Sequence, residues 1–431
     1  MPRSSETSRN LMKYTLLVCA SLSIMCTAIM SPALPMMKKA FSGYENAEMM
    51  IKLAATIPNI FIAISCPIFG LLISKMNKRY TLLISLVFYV VAGCSVSFAN
   101  NILSIIISRS ILGIALSALL VLGLEMIAEN FTGKERTKTI SAQVTIMSVG
   151  SIIFTLLSGI ICDINWRLAF LLYGTQAILI PLVFFFVKDV RSKKDLAAEE
   201  QKIVEQLAPP SPFSRIFGKK LPFLICFISF VNMAFFYMIP IELPFALKKI
   251  DPLMTSFLIS IVITIEVVTS AIFAPKYKRL KKNRSFESMC AVSLGIMALS
   301  YLCLSYCRSY WTVLIFVGMY GIGMAFMMPN NIIWMITSCG SKHRAFWIGL
   351  LESGIYLGKF GSPLIAKPLI ENFGIFKAYR ISAVMMLFFA VLVSFFAGKY
   401  SQKTMDGHKS PHDDKDKAKY RARRRTIASA R

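Results

Sequence analysis

Apolar residues along this chain gather into twelve windows, at about 14–34, 53–73, 80–98, 102–127, 139–162, 168–187, 221–246, 253–274, 289–306, 310–337, 345–366 and 381–397. Each is close to the roughly 20 residues a helix needs to cross the hydrocarbon of a bilayer. The sharpest boundary is Gly70-Leu-Leu-Ile-Ser74-Lys75-Met76-Asn77-Lys78-Arg79, where one apolar run stops, three cations follow, and another run begins. It reads as the short basic turn between spans 2 and 3. A second basic turn, Pro275 to Arg284, joins spans 8 and 9 at the matching place in a second set of six. Such a correspondence is the signal of an internal repeat.

The expected architecture is therefore an all-α integral membrane protein, twelve transmembrane helices in two pseudo-symmetric six-helix bundles. A tail covers 1–13, an N-terminal bundle 14–187, a connecting loop 188–220, a C-terminal bundle 221–398 and a basic tail 399–431. Within the connector, Asp195 to Gln206 is expected to form a surface helix that Pro209-Pro210-Ser211-Pro212 ends. Met1 to Asn10 is polar and the first apolar run lacks a small-residue cleavage pattern, so the first span is expected to stay in the membrane.

Composition agrees. Hydrophobic residues are 56% of the 431 and charged residues 16%, where a soluble chain carries about 25% charged. Mean hydropathy is +0.62. The net charge of +26 invites a nucleic-acid reading, which the location of the charges excludes. With the N-terminus inside, inner tails and loops collect about three-quarters of the Lys and Arg, and outer loops, with Lys52 counted among them, about a fifth, as the positive-inside rule requires. Arg109 and Lys359 are the two cations left within windows.

The ten cysteines sit mostly in apolar runs without C-x-x-C spacing and read as small buried hydrophobes, with no disulfide needed. The three histidines, His343, His408 and His412, lie near the inner face, and no H-E-x-x-H, nucleophile elbow or phosphate-cradling loop is present. No enzyme, metal site, cofactor or ATP-driven pump is expected.

Ionisable groups inside spans are costly and mark pathways or partners. Arg109 lies about 10 Å inside span 4, and Glu266 (span 8) and Glu352 (span 11) lie about 12 Å from the inner ends of theirs, by helical rise. A carboxyl withdrawn from water holds its proton more tightly, so it can load and release one in each cycle. Lys359 stands seven residues from Glu352 on the same face, about 10 Å along the axis, too far for a salt bridge but near enough to bias it. Arg109, Glu266, Glu352 and Lys359 are the proton-coupling candidates, with structural ion pairing as the competing role. Glu242, between Pro240 and Pro244 near an outer end, reads as a gate. Glu125 and Glu129 read as interfacial pairs for Lys134, Arg136 or Lys138. Gly354-x-x-x-Gly358 reads as a close-packing face that lets the two bundles slide.

With these residues in hand, the chain resembles the major facilitator superfamily over about 12–400, and within it the twelve-span drug:proton antiporters of the bicyclomycin-resistance type. Of the loop motif G-x-x-x-D-[RK]-x-G-[RK]-[RK], Gly70, Lys75, Lys78 and Arg79 match, while Ser74 replaces the acid and Asn77 the second glycine. Arg109 and Gly113 match the span 4 motif R-x-x-x-G, and Pro32-Ala-Leu-Pro35 and Trp166-Arg167 also fit. The span 5 motif is partly kept: Gly150 and Gly159 fit, while Phe154, Thr155 and Ser158 replace Gly, Pro and Gly. Ala28 stands where the bicyclomycin type has an acid.

The resemblance implies a cavity lined by spans 1, 4, 7 and 10, here Ser23, Thr27, Arg109, Asn232, Phe236, Tyr237, Met327, Asn330 and Asn331, and a gating motif of Gly70, Ser74, Lys75, Lys78 and Arg79. An aromatic, methionine-rich lining suits a lipophilic organic molecule better than a sugar. The missing acid at Ser74 implies a weaker inner lock, or one provided elsewhere, as by Glu135. The expected function is export of small, mostly hydrophobic compounds by alternating access, driven by a proton gradient without cofactor. The expected setting is a monomer in a bacterial inner membrane with both termini cytoplasmic. A proton-coupled importer or facilitator of a nutrient is the alternative within transport. A membrane sensor is the alternative outside it, disfavoured because neither the connector nor the tail is long enough to hold a signalling domain.

Overall fold

The computed structural model describes residues 3–72, 76–130, 133–187, 221–281, 284–338 and 344–407. Among them, every regular element is helical. Span 1 runs through Arg3–Ser21 and Met25–Ala40 with a 3-10 turn, Leu22–Ile24, between; span 2 is Ala47–Leu72, span 3 Lys78–Ser95, span 4 Ile102–Asn130 and span 5 Gly133–Ile164. Span 6 is Trp166–Ala169, Phe170–Ile178 as 3-10, and Leu179–Phe186; span 7 is Leu221–Phe236 and Met238–Ile250. Spans 8 to 12 are Ser256–Phe273, Phe286–Leu304, Tyr310–Ser338, Arg344–Phe373 and Ile375–Gly407. Eleven of these are long and apolar enough to cross a membrane. The remaining one, span 11, is as long but carries Glu352 and Lys359 near its middle.

Packing repeats with a period of six spans. In the first half, span 2 packs on 4, 3 on 4, 1 on 5 and 3 on 6; in the second, 8 packs on 10, 9 on 10, 7 on 11 and 9 on 12. The halves meet through span 2 on 11, span 5 on 8 and span 1 on 7. This is the pseudo-symmetry anticipated from the two basic turns.

Several boundaries differ from the hydropathy windows because caps and prolines, not hydropathy alone, end helices. Asn77, where the resembled motif has glycine, caps span 3 by accepting from Tyr80 N at 3.2 Å. Span 2 begins at Ala47, so Lys52 belongs to its second turn, 5% exposed, and not to a loop as the charge count had it. Span 12 continues as helix through Gly407. Ser74 and Lys75 and the expected surface helix 195–206 lie outside the described residues, and the side chains of Glu129, Lys134, Glu135, Arg136 and Lys138 are likewise not described.

Spans 1 and 7 are each broken near mid-length. Pro240 cannot donate to the carbonyl four residues back, which interrupts span 7 at Tyr237. Tyr301 donates to the neighbouring Phe235 carbonyl at 2.5 Å. Carbonyls around the break in span 1 are met by Tyr89 (to Leu22, 3.2 Å), Tyr173 (to Met25, 3.4 Å) and Arg109 (to Cys26, 2.9 Å). Backbone polar groups at membrane depth have no water to turn to, and irregular backbone persists where protein or a cavity satisfies it.

Candidate functional site

The two breaks face one another across the halves. Thr27 and Tyr237 are hydrogen-bonded through their hydroxyls, with Asn59 of span 2 beside Tyr237. Lys359 places its ammonium 5.7 Å from the Tyr237 ring centre and 4.6 Å from that of Tyr356. Such cation–aromatic contacts hold a charge without neutralising it. Glu352 lies two turns along span 11, where that helix crosses span 2: the adjacent Ser353 donates to the Ala63 carbonyl at 3.0 Å, and Cys66 is within electrostatic reach of the carboxylate. Glu352 and Lys359 are both half-buried.

What fixes the direction of span 11 is its glycine face. A Cβ on Gly358 would stand 2.3 Å from the Phe230 carbonyl oxygen, and one on Gly354 3.1 Å from that of Cys226. Both neighbours belong to span 7. The glycines therefore hold span 11 against its own half, and the expected sliding surface between halves is not there. Glu352, Tyr356 and Lys359, at i, i+4 and i+7, occupy the opposite stripe. Across the halves, Gly159 of span 5 provides a close approach instead, its Cβ position 2.4 Å from Ser260 Oγ.

Arg109 is fully buried inside the first half. It donates to the Tyr173 hydroxyl at 2.8 Å, the Cys26 carbonyl at 2.9 Å and Cys26 Sγ at 3.0 Å. It supports the broken turn of span 1 and reaches the site through Cys26, not by lining open space. Glu266 is 5% exposed on span 8, within reach of Tyr301 and Tyr320, and makes no ion pair among the described residues. Tyr320 stacks on Phe236 with centres 6.0 Å apart, so an aromatic layer separates Glu266 from Tyr237.

The other cavity candidates divide. Ser23 is half-buried in the 3-10 turn of span 1. Asn232 is 1% exposed, with neither amide atom partnered. Asn331 donates to Ser229 Oγ at 3.0 Å, tying span 10 to span 7. Asn330 turns the other way, donating to the Phe286 carbonyl at 3.0 Å and accepting from the Tyr277 hydroxyl at 3.1 Å. Met327 is fully buried in the core of the second half with Trp334 and Met233. Asn330 and Met327 are thus packing residues and leave the cavity list. Among the motif residues, Gly70 has open space around it, Lys78 is 9% exposed, and Arg79 binds the Phe184 carbonyl and covers the Phe184 ring at 5.0 Å, both within the first half.

Two features went unseen in the sequence. Lys52 forms a buried pair with Glu242, Nζ to Oε2 2.6 Å, and also meets Glu48 Oε1 at 2.6 Å. Asp163, at the end of span 5, receives Ser256 N at 2.6 Å and Phe257 N at 3.0 Å, capping span 8 of the other half. Both tie the halves together at the end opposite the termini. A lysine one turn inside an apolar helix was the available signal for the first. Nothing local flags the second, since Asp163 and Ser256 are 93 positions apart.

The Major Facilitator Superfamily profile matches residues 16–291 and 287–430. The chain belongs to this superfamily. It is 21% identical over 400 residues to "Multidrug resistance protein MdtG" of Proteus mirabilis (strain HI4320), an alignment covering 87% of this chain and 93% of that protein. It is 27% identical over 129 residues to "Multidrug transporter protein MdtP" of Bacillus subtilis (strain 168), 30% of this chain and 24% of that one. Its fold matches the inward open conformation of the xylose transporter XylE from E. coli with a TM-score of 0.69 and 15% identity, over 89% of this chain and 95% of that one. The superfamily's members are transporters in membranes, not enzymes, and the chain is a multi-pass membrane transporter of this kind.

Proposed function

We propose that the protein exports small, mostly hydrophobic organic compounds by alternating access, in exchange for protons. The observation that carries the reading is the charged stripe of span 11. Glu352 and Lys359 sit half-buried where the halves meet, Lys359 beside the broken turn of span 7 and Glu352 two turns away against span 2, with no ion pair among the described residues. A carboxylate in that position binds either a proton or a substrate group, and its exchange between them couples the two fluxes. Glu266 is the second proton candidate, and Arg109 acts on the site through Cys26. The multidrug resistance relative that aligns over most of the chain supports efflux of drug-like molecules. On this reading the chain is a monomer in a bacterial inner membrane, with both termini and the connector cytoplasmic.

The test is transport into inside-out vesicles under an imposed proton gradient, with Glu266→Gln and Glu352→Gln. Loss of gradient-driven uptake in at least one variant is expected. Intact coupling in both removes the proton role from these residues. A nutrient importer is the competing reading, favoured by the replaced span 5 motif, in which Ser158 Oγ instead donates to the Ile29 carbonyl at 2.7 Å. It predicts substrate movement in the opposite direction.

A further inference from the structure

Resting on the reading that the cleft between the halves is the substrate path, we infer that the site takes a zwitterionic amphipathic molecule, its acidic group on Lys359 and its basic group on Glu352. Three observations converge. Lys359 makes only ring contacts, and neither it nor Glu352 has a hydrogen-bond or ion-pair partner among the described side chains. Seven residues of helix separate them, about 10 Å along the axis, so each feels the other's charge but the two form no salt bridge. The glycine contacts pack the helix on the Cys226–Phe230 segment of span 7 and turn this stripe away from that segment, so the regular rise of the helix sets the spacing.

Tyr356 lies between the charges on the same stripe, and Tyr237 faces Lys359 from span 7. A planar ring system bridging the two charges therefore finds an aromatic floor. A simple organic anion would satisfy Lys359 and leave the carboxylate bare; a simple cation would do the reverse. Charges in a low-dielectric cleft require partners, and one molecule carrying both groups at this spacing provides both at once. Protons then compete with the basic group for Glu352, which is a direct physical route to exchange.

The experiment is calorimetric binding to the purified chain in nanodiscs. Four probes are used: an aminomethyl-biphenyl carboxylate, whose charges stand about 10 Å apart to match the helical spacing, its methyl ester, the amine-free biphenyl carboxylate, and the shorter aminomethyl benzoate. The two-ring zwitterion is expected to bind about tenfold or more tightly than each of the others, the factor for one lost charge-assisted hydrogen bond. Glu352→Gln should bring the amine-free acid level with the zwitterion, and Lys359→Gln should do so for the ester. Lys359→Arg should keep the ranking, which separates lost recognition from lost folding. A flat ranking, no binding of the zwitterion, or an unchanged ranking in both Gln variants overturns the inference. A flat ranking beside export of a neutral dye sinks the zwitterion and leaves export standing; the expected ranking without transport does the opposite.

Discussion

Replacing Lys52 by methionine should open the end of the molecule opposite the termini. The side chains of Lys52 and Glu242 are 6% and 1% exposed and 2.6 Å apart. Among the described residues the second carboxylate oxygen of Glu242 has no hydrogen-bond partner, and the ammonium of Lys52 is the cation paired with it. Removing one member of a buried pair costs about 3–5 kcal/mol, because the other charge is left without water or counter-ion. When the halves part at this end, water reaches Glu242 and the penalty disappears, so nearly all of it falls on the closed form. At about 1.4 kcal/mol per tenfold, the closed-to-open ratio drops by roughly 10²- to 4 × 10³-fold, enough to turn a closed-to-open ratio of about 10:1 into one that favours opening. Removing both charges, as Lys52→Met with Glu242→Leu, leaves an apolar contact that is neutral or favourable by about 1–4 kcal/mol, and closure should return. Spin labels at Tyr44 and Leu253, 44% and 89% exposed and one in each half, read the distance across this end. A distribution unchanged by Lys52→Met, or a double variant that opens as far as the single one, would refute the reasoning.

Asp163→Ala removes the carboxylate that accepts Ser256 N and Phe257 N at the start of span 8 and leaves the Thr255 cap in place, costing about 1 kcal/mol, and the same labels should report a severalfold shift toward opening, smaller than that of Lys52→Met. Gly358→Ala drives a Cβ into the Phe230 carbonyl and should lower the thermal midpoint by the equivalent of about 1–3 kcal/mol. Gly150→Ala, with nothing within 4 Å, should be neutral or stabilising by up to about 1 kcal/mol through helix propensity; equal effects at the two sites would contradict the packing argument. Arg109→Lys keeps the charge but cannot reach the Tyr173 hydroxyl and the Cys26 carbonyl together, so one buried group goes unpaired at about 1–3 kcal/mol, read as a lower unfolding midpoint.

Asn330 and Asn331 show what could be read early and what could not. They are neighbours in sequence, alike in chemistry, and both sit in a span whose existence was plain from hydropathy. About 100° of helical turn separates their side chains. One is consumed by Tyr277 and Phe286, the other meets span 7. A glycine pair posed the same difficulty: Gly354 and Gly358 announced close packing, but whether against span 7 or against the other half depended on rotation of span 11 about its axis. Lys52 was misplaced for a simpler reason, since a helix start set by a turn and not by hydropathy extended span 2 outward past it.

The chain alone determined the number of helices, their approximate ends, the division into two sixes and the short list of charges held inside. It could do so because bilayer thickness acts on the sequence as a one-dimensional ruler, and every polar group inside it is an exception that shows. Partnership was decided only in three dimensions. Arg109 was absorbed by span 1, Glu242 was neutralised by Lys52, and Glu352 and Lys359 were left facing the seam, because helix rotation and the meeting of the halves are set by packing between residues far apart in the chain.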